Sequence, residues 1–338
     1  LDTEGTNIAR SGTEKDGAEN LTANLSLDVD INDALDLRFT GQNIEASNDY
    51  DEIDYFLTGL PVDADRVTES SQRFLTGEAR YNPAKGPFSG TFAVNWMSSD
   101  HDNIADGVWS SSTASDTTEY RLRGAYLFGQ EQNHRLGFGL EHQKVEFEQR
   151  GIASYYDPNQ DQSYRVAGYA AEYVGKPVEA LTWTASARLD DYSDFDDATT
   201  WQLAGGYRLS PAFRLRGSVG TGSKAPTFTE RYGFYEDSFI GNPELKPESS
   251  KGWEIGVDSR WADDRYRFEL AYFDQNLEDE IDGFVYDPAS GLFTAKNKQN
   301  DSSRKGVETV FDANISQNFM LSASYTYTKA REKDALGN

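Results

Sequence analysis

The chain has 338 residues, no cysteine, and a formal net charge of −25 from 57 acidic and 32 basic residues. The lack of cysteine excludes disulfides, thiolate metal sites and cysteine nucleophiles, and the acidic charge argues against nucleic acid as a partner. Apolar residues make up only 37% while aromatic residues reach 13%, which is unusual for a soluble core. No apolar run is long enough for a membrane-spanning helix.

A strict alternation of apolar and polar residues begins early in the chain. In LTANLSLDVDI, which starts at Leu21, every odd position is apolar and every even position is polar. The same period of two recurs in LTWTASARL from Leu181 and in LSASYTYT from Leu321. A period of two places all the apolar side chains on one face of a β-strand. In chain order the pattern predicts about fourteen strands, at 21–30, 34–44, 70–82, 87–98, 117–128, 133–148, 163–174, 180–190, 199–209, 212–220, 250–261, 265–278, 303–315 and 319–329.

The predicted connections between these strands alternate in length. Short links of a few residues alternate with long ones, which predicts an up-and-down antiparallel meander with two unlike ends. The predicted long connections are 43–69, 99–116, 149–162, 191–198, 221–249 and a stretch after Asp279.

Two architectures are compatible with such alternation: a soluble β-sandwich or propeller, and a transmembrane barrel whose apolar face meets lipid. The polar faces favour the barrel, because rows such as Arg121 with Arg123, Arg214 with Arg216, and Glu254 with Asp258 and Arg260 suit a wet lumen. Trp253 and Trp261 lie on one face about 20 Å apart in height, which fits two aromatic girdles around a ~25 Å apolar band. We therefore predict an all-β, antiparallel, up-and-down transmembrane β-barrel.

The segment from Ser223 to Ser249 interrupts this alternation. It reads SKAPTFTERYGFYEDSFIGNPELKPES, and its prolines cannot lie inside paired strands. We predict a folded loop with a binding role, because large ordered loops carry function and this one is rich in aromatic residues.

The same segment resembles TonB-dependent outer-membrane receptors, most closely the vitamin B12 transporter group. That resemblance rests on a Lys-Ala-Pro element, an Asn-Pro-x-Leu-x-Pro-Glu element, and a later Gly-Val-Glu within KNKQNDSSRKGVETVFDANI. Haem receptors of the family usually carry a histidine between the two proline elements, and 224–247 contains none. The motif residues are Lys224, Ala225, Pro226, Asn242, Pro243, Leu245, Pro247, Glu248, Gly306, Val307 and Glu308.

The resemblance implies a 22-stranded barrel of the Gram-negative outer membrane with an N-terminal plug in its lumen. We expect residues 1–338 to be a partial barrel domain of about fourteen strands, without plug, signal peptide or last strands. The implied function is TonB-dependent active uptake of a scarce nutrient, either a cobalamin-type corrinoid or a ferric siderophore. The alternative is a passive barrel or soluble β-module that binds glycans or a partner without energy coupling.

The resemblance also implies partners. These are the energy-transducing TonB protein, acting through a plug, and a small-molecule cargo. Outer-membrane lipid and lipopolysaccharide would surround the protein, and we expect it to be a monomer.

Candidate site residues fall into two groups, and no cofactor is required. Acidic residues of the long connections offer the hard oxygen ligands that calcium prefers, and the resembled transporters use Asp-rich outer loops in this way. Aromatic residues of the loop tips offer flat surfaces for a cargo with apolar or planar faces. The candidate calcium ligands are Asp49, Asp51, Asp100, Asp102 and Asp106; the candidate cargo contacts are Trp109, Tyr155, Tyr156, Tyr232, Phe234, Tyr235 and Phe239.

An enzyme is not expected. The three histidines, His101, His134 and His142, do not resemble a site and we expect them to be solvated. No nucleophile elbow of the hydrolase type occurs.

Overall fold

The computed structural model describes residues 2–7, 9, 12, 15–54, 57–153, 157–235 and 238–332. In these residues fifteen strands form one antiparallel sheet, and four short strands form a second sheet. Within this described part, no helix is long and apolar enough to cross a membrane. The elements are β1 (Asp2–Thr3), β2 (Ala18–Asn32), β3 (Leu35–Ile53), β4 (Pro61–Tyr81), β5 (Phe88–Ala105), β6 (Val108–Phe128), a 3-10 turn (Gln130–Gln132), β7 (His134–Gly151), β8 (Gln160–Val178), β9 (Leu181–Tyr192), β10 (Ala198–Ser210), β11 (Phe213–Lys224), α1 (Phe228–Tyr232), β12 (Phe234–Tyr235), β13 (Phe239–Ile240), β14 (Glu248–Trp261), β15 (Tyr266–Glu278), β16 (Ile281–Asp287), β17 (Leu292–Asn297), β18 (Ser302–Ser316) and β19 (Phe319–Glu332).

The large sheet is the predicted meander. Each strand pairs with its neighbour in the chain, except where β11 pairs with β14 and β15 pairs with β18. At those two places the chain leaves the sheet to build the small one, whose order is β12-β13-β17-β16. All fourteen predicted strands are confirmed, and β2 and β19 are not paired with each other in the described residues.

The long connections are shorter than predicted, because the strands continue past the apolar alternation. Instead of a loop over 43–69, β3 runs to Ile53 and β4 starts at Pro61. Instead of a loop over 99–116, β5 and β6 form a hairpin with positive φ at Asp106 and Gly107. Strands of 21 residues span roughly 50 Å in height, about twice an apolar band of ~25 Å. Hydrogen bonding between strands therefore continues where the side chains have become polar.

One face of the sheet is apolar and open to its surroundings, as predicted for a lipid-facing surface. Leu25, Leu75 and Leu203 are 73%, 55% and 47% exposed. Two aromatic rows border this apolar face, as girdles would. Towards the long connections lie Trp96, Tyr120, Tyr169, Trp201 and Trp253, and towards the short turns lie Tyr81, Tyr126, Tyr207, Trp261 and Tyr266.

The opposite, polar face carries cross-strand ion pairs. Glu141 on β7 forms an ion pair with Arg121 of β6 at 3.5 Å and accepts a hydrogen bond from Arg188 of β9 at 3.3 Å. Arg216 on β11 pairs with Glu254 and, at 3.1 Å, with Asp258, both on β14. Of these residues, Arg121, Arg216, Glu254 and Asp258 were predicted to line a wet lumen, and the charges of the whole set compensate one another across neighbouring strands.

The two faces predict opposite responses to the same substitution on β10. Leu203 lies on the apolar face, and its chain neighbour Gln202 lies on the polar face. We expect Leu203→Arg to lower the free energy of unfolding by about 2–4 kcal/mol in a bilayer, the cost of a cation at mid-membrane. Gln202→Arg is the matched control and should be nearly neutral. Urea unfolding of the full-length protein in liposomes measures both, and equal losses would contradict the assignment of the faces.

The shared carboxylate of the polar face predicts a second difference. Glu141→Gln leaves Arg121 and Arg188 without the charge between them, and we expect about 1 kcal/mol of lost stability. The control is Glu179→Gln, whose carboxylate is 86% exposed and lies 3.8 Å from Arg208. That change should be close to neutral, because exposed pairs contribute little. Denaturant unfolding of both variants tests this, and a neutral Glu141→Gln would contradict it.

Candidate functional site

The segment between β11 and β14 is a folded loop, as predicted from its prolines. Thr227 caps α1, because its hydroxyl accepts from the Glu230 N–H at 3.2 Å. The Glu230 carboxylate in turn accepts from the Thr227 N–H at 2.7 Å. This reciprocal capping box fixes the start of a helix of only five residues.

Two connections together build one unit, which we call the loop module: the described residues of 225–247 and residues 279–301. Its small core consists of Phe239, Leu245 and Ala295, which are 5%, 3% and 0% exposed, with Ile281 and Phe293 packed against them. Strand β13 from the first connection runs parallel to β17 from the second. The loop module therefore has its own sheet and core.

The family-motif residues hold this module together. Asn242 donates to the Ala295 carbonyl at 3.0 Å and accepts from the Glu244 N–H at 3.0 Å. Glu248 accepts from the Ile281 N–H at 2.9 Å and pairs with Lys224 at 3.3 Å. The motif thus joins the two connections. Of the remaining motif residues, Pro226 and Leu245 are buried, Ala225 and Pro247 are half-buried and Pro243 is exposed.

The Gly-Val-Glu element on β18 is explained by close packing. A Cβ on Gly306 would lie 2.1 Å from the Tyr327 carbonyl oxygen and 2.8 Å from the Phe273 ring. Only glycine fits at this position, because any side chain would collide with the neighbouring strands β15 and β19. Val307 pairs with Tyr272 and Tyr327 on the apolar face, and Glu308 borders the cavity described below.

The loop module reaches across the polar face to β7 and β8. Phe228 stacks on Phe147 at 5.2 Å and contacts the Tyr164 ring at 5.1 Å between centroids. Gln149 donates to the Phe234 carbonyl, and Gln160 donates to the Tyr232 carbonyl. Strands β7 and β11 are separated by three strands, so the module covers roughly 19 Å of the sheet at its long-connection end. It therefore folds inward over the mouth of the lumen.

Arg231 secures the module to a third connection. Arg231 is only 7% exposed, and its guanidinium donates hydrogen bonds to the Asp194 and Pro243 carbonyls, both at 3.1 Å. It also lies over the Phe195 and Tyr232 rings at 5.2 and 4.8 Å. Carbonyl and ring contacts compensate part of the cost of burying this cation.

A cavity of about 970 Å³ opens on the polar face, nearer the short turns than the contacts of the module. Its polar lining includes Arg123, Glu172, Arg188, Gln202 and Glu308. Such a concave, mixed-charge surface is a place where another folded segment or a polar ligand can bind.

The five predicted cargo contacts that the structure describes divide into three groups. Phe239 is 5% exposed because its ring belongs to the core of the loop module, and Phe234 is 9% exposed where its backbone bonds to Gln149 of β7. Tyr235 is 51% exposed and Tyr232 is half-buried, so both retain contact surface at the mouth. Trp109 is 41% exposed and donates to Asp102 at 3.1 Å, on the apolar side of the β5–β6 hairpin. The remaining two, Tyr155 and Tyr156, lie outside the described residues.

The candidate calcium ligands are dispersed. Asp106 accepts from Arg66 at 2.9 Å, and Asp106 with Glu52 raises the pKa of the Arg66 guanidinium by hydrogen bonding. Asp51 accepts from the Ala9 and Ala64 N–H groups, and Asp49 continues β3. Within the described ranges, no group of three or more acidic or histidine side chains is placed to hold a metal ion. These five side chains do not fit a single calcium site in this arrangement.

Two of the acids nevertheless share a surface. Asp100 and Asp102 lie on the same face of β5, where Glu69 is opposite Asp102. With Glu45 they line a cleft of about 560 Å³ between β2 and β5.

All three histidines were predicted to be solvated, and one of them is not. His142 is exposed and His101 contacts Ser99 at 3.1 Å. His134 is not simply solvated, because it stacks on Phe128 at 5.2 Å and hydrogen-bonds Tyr173 at 2.7 Å. It is part of the aromatic row near the short turns.

Sequence reasoning missed the residues that receive the loop module. Phe147 and Tyr164 occupy the polar face of their strands, and an aromatic residue at a polar position was the available signal. Gln149, Gln160 and Arg231 carried no signal, because their role depends on contacts 37 to 85 residues away in the chain.

Similarity to known proteins agrees with this geometry. The chain is 27% identical over 264 residues to the vitamin B12 transporter BtuB of Photobacterium profundum, covering 76% of this chain and 40% of the relative. It is 29% identical over 308 residues to the vitamin B12 transporter BtuB of Vibrio vulnificus, covering 89% and 46%. The chain thus spans less than half the length of these curated relatives.

The fold is similar to that of solved receptors. The siderophore receptor PirA from Pseudomonas aeruginosa aligns with a TM-score of 0.73 at 15% identity, over 94% of this chain and 57% of that one. Residues 2–338 also match the family described as TonB dependent receptor-like, beta-barrel. The chain therefore belongs to the TonB-dependent receptor β-barrel family of the Gram-negative outer membrane.

Proposed function

We propose that the protein takes part in TonB-dependent active uptake of a scarce nutrient across the outer membrane, with a cobalamin-type corrinoid or a ferric siderophore as cargo. The family is one of receptors and not of enzymes, as predicted. The relatives in sequence are named vitamin B12 transporters, and the similar solved structure is named a siderophore receptor. These names support a compact, metal-chelating cargo.

The observation that carries the proposal is the inward fold of the loop module. In such barrels the long connections are extracellular and the short turns periplasmic. A module anchored by Phe228 and Gln149 over the lumen mouth holds Tyr232 and Tyr235 where an incoming cargo must pass. Aromatic rings bury much area at low entropic cost, which suits capture of a scarce ligand.

In this proposal, the cargo passes through the barrel along the polar face below the loop module. The charged side chains of this face form ion pairs between neighbouring strands, so the wall of the lumen is polar. On the family mechanism, a plug occupies such a lumen and TonB remodels it with energy from the inner membrane. TonB would act through that plug.

The proposal predicts a measurable contribution from Tyr235. Titrating the full-length gene product in detergent with cyanocobalamin, then with ferric siderophores, should show tight binding of one class. Tyr235→Ala should weaken that binding roughly tenfold, the effect of losing an exposed aromatic anchor. Tyr50→Ala is the control, since Tyr50 is 41% exposed but lies on β3, away from the module. Binding of neither class would contradict the proposal.

Energy coupling distinguishes active uptake from the alternative of a passive barrel. Cells expressing the full-length protein should accumulate the cargo only when TonB is present and the proton gradient is intact. Equal accumulation without TonB would favour the passive barrel.

Calcium is a further part of the proposal, now restricted to the cleft lined by Glu69, Asp100 and Asp102. These three side chains do not form a metal site as they stand, so calcium binding requires them to move together. We expect calcium to strengthen cargo binding with a midpoint of about 0.1–1 mM, the range of extracellular sites. The double variant Asp100→Asn/Asp102→Asn should lose this effect, and Asp263→Asn in a short turn should keep it. Cargo titrations with and without calcium measure it. If cargo binding by the wild type does not change with calcium, that result would contradict the calcium proposal and leave the proposed uptake function unaffected.

A further inference from the structure

Two glutamines lie directly opposite each other where the loop module meets the barrel wall. Gln149 of β7 and Gln160 of β8 are register partners at the long-connection end of their strands. Gln160 donates to the side-chain oxygen of Gln149 at 3.1 Å, and Gln149 is only 5% exposed. We call these two residues the glutamine pair. Each of them also bonds to the backbone of the segment between β11 and β14.

The Gln149 amide binds the backbone of β12 as a neighbouring strand would. It donates to the Phe234 carbonyl and accepts from the Phe234 N–H at 3.3 Å. A residue of a paired strand offers the same two groups, one donor and one acceptor. Strand β12 is at the edge of the small sheet. The side chain of Gln149 thus supplies at this edge the pairing that a further strand would give.

The same contacts set the positions of two residues predicted to bind cargo. Gln160 donates to the Tyr232 carbonyl, so the glutamine pair holds the backbone both at Tyr232 and at Phe234. Successive side chains of a strand point to opposite faces, and Phe234 is 9% exposed whereas Tyr235 is 51% exposed. Fixing the Phe234 backbone therefore also fixes the direction of the Tyr235 ring.

The glutamine pair differs in kind from the ring contacts of the loop module. Phe228 stacks on Phe147, which brings the module to the wall, but apolar burial is not directional. Hydrogen bonds from two amides need a defined distance and angle, so they fix the register of the module on the wall. Neither amide carries a charge, so these bonds do not weaken when salt screens charges.

We propose that Gln149 and Gln160 are positioning residues for cargo capture, which hold Tyr232 and Tyr235 in their binding positions before the cargo arrives. The proposal rests on the proposed function and adds the residues that pre-organise its site. A loop that is already ordered loses less conformational freedom on binding, which raises affinity without a new contact. Loss of the Gln149 bonds should therefore weaken cargo binding about tenfold, the effect of ordering two side chains during binding.

Two replacements of Gln149 in the full-length receptor separate hydrogen bonding from packing. Gln149→Met keeps an unbranched side chain without the amide, and should bind cyanocobalamin or the ferric siderophore, whichever the wild type binds, about tenfold more weakly. Gln149→Glu lacks a donor while its carboxyl group is ionised, and should be equally weak at about pH 8. At about pH 5 it should return to within about twofold of the wild type at the same pH. Burial raises the pKa of the new carboxyl group, and its protonated form again has one donor and one acceptor.

Gln143→Met is the matched control. Gln143 lies on the same face of β7 and is half-buried. Its side chain forms no hydrogen bond with the part of the loop module that the structure describes. This variant should bind the cargo with wild-type affinity.

Nitroxide spin labels measure the position of the loop module without any cargo. Labels at Ser238→Cys in the module and at His142→Cys on β7 replace two exposed residues. Their distance distribution should be narrow with Gln149 in place and clearly broader with Gln149→Met. An unchanged distribution would overturn the proposal. A wild type that binds neither cargo would contradict the proposed function, and the label distances would still decide whether the glutamine pair positions the module.

Two results of the cargo titrations would also overturn the proposal. One is wild-type affinity in Gln149→Met, which would show that the bonds to Phe234 do not matter for capture. The other is weak binding by Gln149→Glu that persists at about pH 5, which would assign the loss to packing and not to hydrogen bonding.

Discussion

The constraint on which this structure depends is that backbone N–H and C=O groups within a bilayer must all be paired inside the protein. An antiparallel meander meets it for the inner strands of the large sheet, because each described strand of that sheet between β1 and β19 has a partner on both sides. Both side-chain faces then follow from the period of two. One face is left to lipid and becomes apolar, while the other encloses water and charge. The ion pairs centred on Glu141 and Arg216 are the consequence on the inner side.

The continuous pairing of neighbouring strands also explains which parts of the fold could be predicted. Alternation such as Leu21 to Ile31 identifies a strand only while one face meets lipid, so the predicted strands ended near the edge of the apolar band. Above it, β3 and β4 remain paired through Tyr50 and Arg66 with polar side chains on both faces. Nothing in a polar run separates such a strand from a loop. The strand count and order were therefore predictable, and the strand ends were not.

The candidate site shows a similar division. Prolines and aromatic residues marked 223–249 as an ordered loop, and the motif residues were recognisable because local geometry restricts them. Which rings would be exposed depended on contacts between connections that are far apart in sequence. Phe239 became core because β17 arrives beside β13, whereas Tyr235, four residues earlier, remained exposed. A loop's composition thus predicts that it will fold, and only its partners decide which surface it presents.

The composition of the chain does not show where its charges lie on the surface. A net charge of −25 suggests a uniformly acidic surface, yet pairing register brings Lys251 of β14 close to Lys305, Lys329 and Arg331 of the β18–β19 hairpin. The acids concentrate elsewhere, in the cleft between β2 and β5. Since screening limits exposed charges to about 10 Å, each sector interacts with its own surroundings and the net charge governs neither. Sectors of opposite local charge therefore lie apart on one sheet, although the net charge of the chain is strongly negative.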